Sequence, residues 1–224
     1  MSVTFTHLNT IHKFHMKTIY KRYPICNTLI SLLIIYLPFN GYGITVGPNN
    51  GTIFTNTGAG VPWTSPANAA TSNDVRSTVS LALQTSQYLV ATGFGFSIPA
   101  GAVIDGIVVE FERHKAFLMN TTIVDYSVRI VKGGVIAGTD KANCCTGWSP
   151  FTDTYDTYGS CTDLWGTTWT PADINSSNFG VAIAAEEFGT FPGNDARIDH
   201  IRISVCYSVI LPVSLLKFTA LQFD

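Results

Sequence analysis

The chain has 224 residues, of which 46% are hydrophobic and 12% charged, with a mean hydropathy of +0.24 and a formal charge of −2. The charged fraction is about half the ~25% usual in globular proteins, which excludes a disordered polyelectrolyte, a basic nucleic-acid binder and a charge-laced coiled coil. Its 19 glycines follow no three-residue period, so a collagen-like chain is excluded as well.

The longest apolar run, 29–39, is about half of the ~20 residues a membrane-spanning helix needs. Lys17, Lys21 and Arg22 precede it and Gly41-Tyr42-Gly43 follows, an arrangement that predicts a secretory signal peptide over 1–43, cut after Gly43. Counting from Met16 gives an n-region of ordinary length, so Met16 is the expected start. Cys26 lies before the apolar run, which argues against a lipoprotein anchor. Removing 1–43 takes four basic residues and no acidic ones, leaving nine basic against fifteen acidic and a charge of −6. That balance disfavours nucleic acid and anionic membrane as partners, and no membrane insertion is expected after cleavage.

Residues 44–62, rich in Gly, Asn and Thr, predict a flexible N-terminal segment. A β-sandwich domain is then predicted over 63–208. Period-two alternation recurs in short runs bounded by Gly, Pro, Asn and Ser, the pattern of half-buried strands. One face is formed by Val75, Ser77, Val79, Leu81 and Leu83, the next by Tyr88, Val90, Phe94 and Phe96. Ile107, Val109 and Phe111 oppose Glu110, Glu112 and His114; Tyr126, Val128 and Ile130 oppose Asp125, Ser127 and Arg129. Phe179, Val181 and Ile183 make another set, and Ile201, Ile203, Val205 and Tyr207 the last. Weaker strands are predicted near 52–55 and 135–137. With no alternation of strand and helix, the fold class is all-β: an antiparallel two-sheet β-sandwich, jelly-roll-like.

Between Asp140 and Asn178 the alternation stops, and three cysteines and several aromatics gather in what reads as a long loop region. Trp148, Tyr155, Tyr158 and Trp169 are the candidate ligand-binding side chains, because flat apolar rings with a polar edge stack on sugars. The competing reading packs the loop inward as a satellite cluster, with Trp165 in the core. The same loop offers Asp153, Asp156 and Asp163 as oxygen ligands for calcium, without the spacing of an EF-hand loop; no other cofactor is expected. Cys144, Cys145, Cys161 and Cys206 are disulfide candidates in an exported chain, and three pairings are open. A pairing of Cys161 with either vicinal cysteine would close a loop of about 16 residues.

No nucleophile elbow, metalloprotease helix or phosphate-binding loop is present. Asp199 and His200 are neighbours on a strand, hence on opposite faces, and His114 reads as a strand end near solvent. Glu110 and Glu112 share an outward face at a spacing a glycosidase could use, but the usual pair comes from different strands inside a cleft, and a solvated face paired with Arg113 or Arg129 is the preferred reading. Glu186 and Glu187 project to opposite sides at a strand end. No catalytic residue is assigned.

The run from Trp63-Thr-Ser-Pro-Ala-Asn-Ala through Phe94-Gly-Phe-Ser-Ile-Pro-Ala-Gly-Ala-Val-Ile-Asp-Gly-Ile-Val-Val-Glu resembles a β-sandwich module of secreted bacterial surface proteins. Val131-Lys-Gly-Gly-Val-Ile-Ala-Gly-Thr-Asp-Lys, Asp163-Leu-Trp-Gly-Thr-Thr-Trp-Thr-Pro-Ala-Asp-Ile-Asn and Val205-Cys-Tyr look like later parts of it, so the likeness spans about residues 46–208. The tail Leu211-Pro-Val-Ser-Leu-Leu-Lys-Phe-Thr-Ala resembles the segment before type IX secretion sorting domains of Bacteroidota, which makes 209–224 a linker to a sorting domain not contained in the chain. The resemblance implies an extracellular or cell-surface location and a non-catalytic role in adhesion or glycan contact. The expected partner is an extracellular glycan or a surface protein. The alternatives are a structural subunit that self-assembles through edge strands and, further off, a glycan-degrading enzyme.

Overall fold

The computed structural model describes residues 2–7, 10–15, 42–116, 121–190 and 192–209. They fall into two units, Met1–Phe39 and Asn40–Asp224. The first contains a hairpin in which β1 (Ser2–His7) pairs antiparallel with β2 (Thr10–His15). The apolar run read as the core of a signal peptide, and the 210–224 tail, lie outside the described residues.

The second unit is an all-β sandwich of two antiparallel sheets. Its strands in chain order are β3 (Tyr42–Asn50), β4 (Ile53–Thr57), β5 (Ser77–Ser80), β6 (Tyr88–Thr92), β7 (Val103–Lys115), β8 (Thr121–Lys132), β9 (Val135–Ala137), β10 (Thr154–Ser160), β11 (Gly180–Gly189) and β12 (Asp195–Val209), with a 3-10 turn (Pro66–Ala69) before β5 and a short α-helix, α1 (Pro171–Asn175), before β11. Sheet one runs β10-β7-β12-β3, with β5 also on β12; sheet two runs β4-β6-β11-β8-β9. Nearly every connection therefore crosses from one sheet to the other. The 44–62 segment, read as flexible, supplies β3, paired with β12, and β4, paired with β6. β4 answers to the weaker strand predicted near 52–55, whereas the Asn, Thr and Gly content hides β3, because edge positions do not demand large apolar side chains.

Ile107, Val109 and Phe111 of β7 and Ile201, Ile203 and Val205 of β12 are fully buried, against Val181 and Ile183 of β11 and Val128 and Ile130 of β8. These sets match the alternation in the sequence. Three others do not, each for a backbone reason. Val75 (54% exposed) and Leu83 (43%) flank a strand that spans only Ser77–Ser80, since Asp74, Ala82 and Leu83 adopt positive φ and end the extended run. In β6 the core takes Leu89 and Ala91, while Tyr88 and Val90 face outward; Gly93 (φ +75°) and Gly95 (φ +65°) then turn Phe94 and Phe96 back into the core.

The third departure lies in β8. Its register against β11 jumps from Ser127↔Ala184 to Asp125↔Ala185, so Tyr126 is an extra, bulged residue. A bulge reverses the alternation on its two sides. Tyr126 is consequently 53% exposed, and Asp125, which alternation alone puts on the wet face, is directed into the sandwich and buried to 1%.

Candidate functional site

The inward-turned Asp125 meets Arg113, the residue that continues the Ile107, Val109, Phe111 face of β7. Arg113 Nη1 donates to Asp125 Oδ1 at 2.6 Å, with side chains 4% and 0% exposed. Tyr158 of β10 donates its hydroxyl to Asp125 Oδ2 at 2.6 Å, and Trp148 Nε1 donates to Oδ1 at 2.9 Å. The backbone amide of Asn143 completes the carboxylate at 3.0 Å. The guanidinium lies 4.3 Å over the Trp148 ring. Burial pushes the Asp125 carboxyl above its ordinary range, against the opposing pull of Arg113 and the Tyr158 hydroxyl. Burial likewise raises the Tyr158 phenol.

Two of the four aromatics proposed for ligand contact are thus buried inside the domain: Trp148 at 3% and Tyr158 at 6%. Trp169 is half-buried against the core, its Nε1 donating to the Leu164 carbonyl. These three pack the loop onto the sandwich. Tyr155 differs. On β10 it points to the outer face of sheet one and keeps 36% exposure.

Around Tyr155 lies a polar platform built by strand register. Tyr155, Glu112 and His200 form one cross-strand row over β10, β7 and β12; Thr157, Glu110 and Arg202 form the next. Arg202 sits 3.9 Å from the Tyr155 ring centre and grips Glu110 through two hydrogen bonds of 2.9 Å. Arg202, not Arg113 or Arg129, is therefore the partner of Glu110, because Arg113 turns inward and Arg129 pairs with Asp140. His200 Nε2 faces Asn50 Oδ1 at 2.9 Å, leaving Nδ1 to accept from the Tyr155 hydroxyl at 2.8 Å. Burial and neighbouring Arg202 both hold the His200 imidazole below its ordinary pKa.

A depressed imidazole pKa makes the neutral ring a source of stability above pH ~6.5 that is lost as pH falls through the folded-state value. Urea unfolding between pH 5 and 7.5 is expected to show stability falling toward the acid end, with a shallower slope in His200→Gln. An identical slope in that variant would remove His200 as the cause.

Beside this platform the chain at 149–153 runs along the end of β7, where the Lys115 amide donates to the Ser149 carbonyl and the Lys115 carbonyl accepts from the Phe151 amide. It covers His114, which is 3% exposed rather than near solvent, with Nδ1 2.6 Å from Asp153 Oδ1. Arg76 Nε and Nη2 donate to Asp153 Oδ2. Burial alone would raise the Asp153 carboxyl, but the bonds from Arg76 and His114 outweigh it and hold it low.

The three calcium candidates do not converge. Asp156 lies near Arg113 at 3.2 Å, and Asp163 pairs with Lys141 at 2.6 Å and accepts the Trp165 amide at 2.8 Å. Cys161 and Cys206 stand at disulfide distance with Cα atoms 5.1 Å apart, joining the end of β10 to β12. Cys144 and Cys145 are free and exposed, so neither vicinal cysteine bridges Cys161. Glu187 is buried at the end of β11 and accepts backbone amides of Leu83, Gly193 and Asn194. Arg202, central to the outer face, was not singled out as a site residue by the sequence. Arg202 was detectable as the outward-phase cation of the 201–207 strand.

Compared with protein-family models, the chain matches none, and no curated protein sequence matches it either.

Proposed function

We propose that the domain is an exported, non-catalytic β-sandwich module of the cell surface that acts in adhesion through glycan contact. The observation that carries this reading is the outer face of sheet one. There an exposed Tyr155 ring, backed by Arg202, stands beside carboxylate, imidazole and amide groups on rigid strands. A flat ring with hydrogen-bonding groups at its edge suits a sugar, and strands hold such groups more accurately than a loop does. Cys161 and Cys206 at disulfide distance support export to an oxidising compartment. The partners of the ionisable groups support a binding role. Both oxygens of Glu110 are engaged by Arg202 and both His200 nitrogens are engaged, so neither is poised as an acid or base toward a second carboxylate or a nucleophile.

A glycan array probed with the wild-type chain is expected to show binding that falls at least about tenfold in Tyr155→Ala, a loss of roughly 1.4 kcal/mol. Binding should be unaffected by Val135→Ala, a distant exposed residue. Absence of binding to every glycan, or equal binding by Tyr155→Ala, overturns the proposal.

A further inference from the structure

Three carboxylates meet at the rim of sheet one. Asp74 comes from the loop before β5, Asp153 from the segment entering β10, and Asp199 from β12, whose register jumps between Ile198 and His200 and leaves Asp199 as an extra residue. One oxygen of each lies within 4.8 Å of the other two. Proximity of acids is common at surfaces and would not by itself define a site.

The second observation is the state of Asp199. It is 1% exposed, and its Oδ2 accepts the backbone amides of Asn73 and Asp74 at 2.9 and 3.1 Å. Its Oδ1 is buried with no hydrogen-bond partner among the described residues. A buried carboxylate oxygen without a donor is costly, and native structures seldom leave one so. Glu112, whose charge also acts on Asp199, has a second buried, unpartnered oxygen, Oε2. Two orphaned carboxylate oxygens thus lie in one region, and Arg76, whose charge acts on Asp199, donates a hydrogen bond to neither. The guanidinium reaches Asp74 Oδ1 and Asp153 Oδ2 but makes no bond to Asp199.

We propose that Asp74, Asp153 and Asp199 form a calcium site, with Asp199 Oδ1 as its buried ligand. An all-oxygen, net-negative donor set selects a hard cation, and calcium tolerates irregular geometry and takes waters for its remaining positions. The Asp74 side chain, 85% exposed, provides the open side through which the ion and its waters enter. Arg76, its side chain 22% exposed, is the cation that partly neutralises the group without metal. This site does not depend on the glycan reading.

The test is isothermal calorimetry of the full chain, stripped with EDTA and titrated with calcium chloride, alongside thermal melts with and without the ion. One ion per chain is expected, with a rise in Tm. Asp199→Asn should abolish both signals. Asp74→Asn, a surface change that leaves the fold intact by far-UV circular dichroism, should weaken binding roughly tenfold, and Arg76→Gln should tighten it by a similar factor. No heat and no Tm rise at about 10 mM calcium, an affinity below even that of weak extracellular calcium modules, overturns the site. So does binding that persists unchanged in both Asp199→Asn and Asp74→Asn.

Discussion

Arg113→Ala is expected to destabilise the domain by about 3–5 kcal/mol, because it strips the counter-charge from a carboxylate buried in the sandwich. Asp125 would keep its bonds from Tyr158, Trp148 and the Asn143 amide, none of which carries charge. The Trp148 ring would also lose the cation stacked on it. The double change Arg113→Met with Asp125→Leu removes both charges but leaves Trp148 Nε1, the Tyr158 hydroxyl and the Asn143 amide without their acceptor, so it is expected to recover only part of the loss. Urea unfolding of the two variants and the wild type reads both effects. A loss under about 1 kcal/mol for Arg113→Ala would mean that the pair is far more hydrated than its burial indicates.

The second large effect is at Trp165, fully buried between the sheets. Its Nε1 donates to the Ile107 carbonyl at 3.0 Å, and its own carbonyl accepts from Thr139 at 2.7 Å. Gly159 lies so close that a Cβ there would come within 2.7 Å of the indole nitrogen. Trp165→Ala is expected to cost about 3–5 kcal/mol through the cavity it opens. Trp165→Phe keeps most of the packing but leaves the Ile107 carbonyl without its donor, so about 1–3 kcal/mol is expected. Equal losses in the two variants would show that the hydrogen bond, and not the volume, dominates.

The core was legible wherever backbone alternation runs unbroken. Ile107 to Phe111, Phe179 to Ile183 and Ile201 to Val205 read directly from period two and are buried as read. Where a residue is inserted or φ turns positive, the same rule assigns the wrong face, as at Tyr126, Asp199 and the Tyr88–Val90 stretch before Gly93. Bulges have no compositional mark comparable to a turn glycine, so Asp125 carried no sign of its burial. Arg113 did: a cation at the next position of an otherwise apolar face calls for a buried partner. The loop aromatics were legible as a cluster but not as to direction, because indole and phenol rings serve cores and binding faces equally well. Tyr155 is told apart from Tyr158 only by strand parity within β10, a Thr, Tyr and Gly run with no apolar rhythm.

The position of β12 constrains the order in which the domain can assemble. Among the described residues it is the last strand in sequence, yet it occupies the middle of sheet one, between β7 on one side and β3 and β5 on the other. Among the described residues β3 has no other strand partner, so the first strand of the sandwich must wait for the last. At a synthesis rate of roughly 5–20 residues per second, that wait is on the order of 10 s. The predominance of pairings between distant segments places closure itself in the slow, millisecond-to-second range typical of sandwiches. Sheet one therefore closes only after the whole domain has left the ribosome, and until then β3, β5 and β7 expose backbone edges to any passing strand.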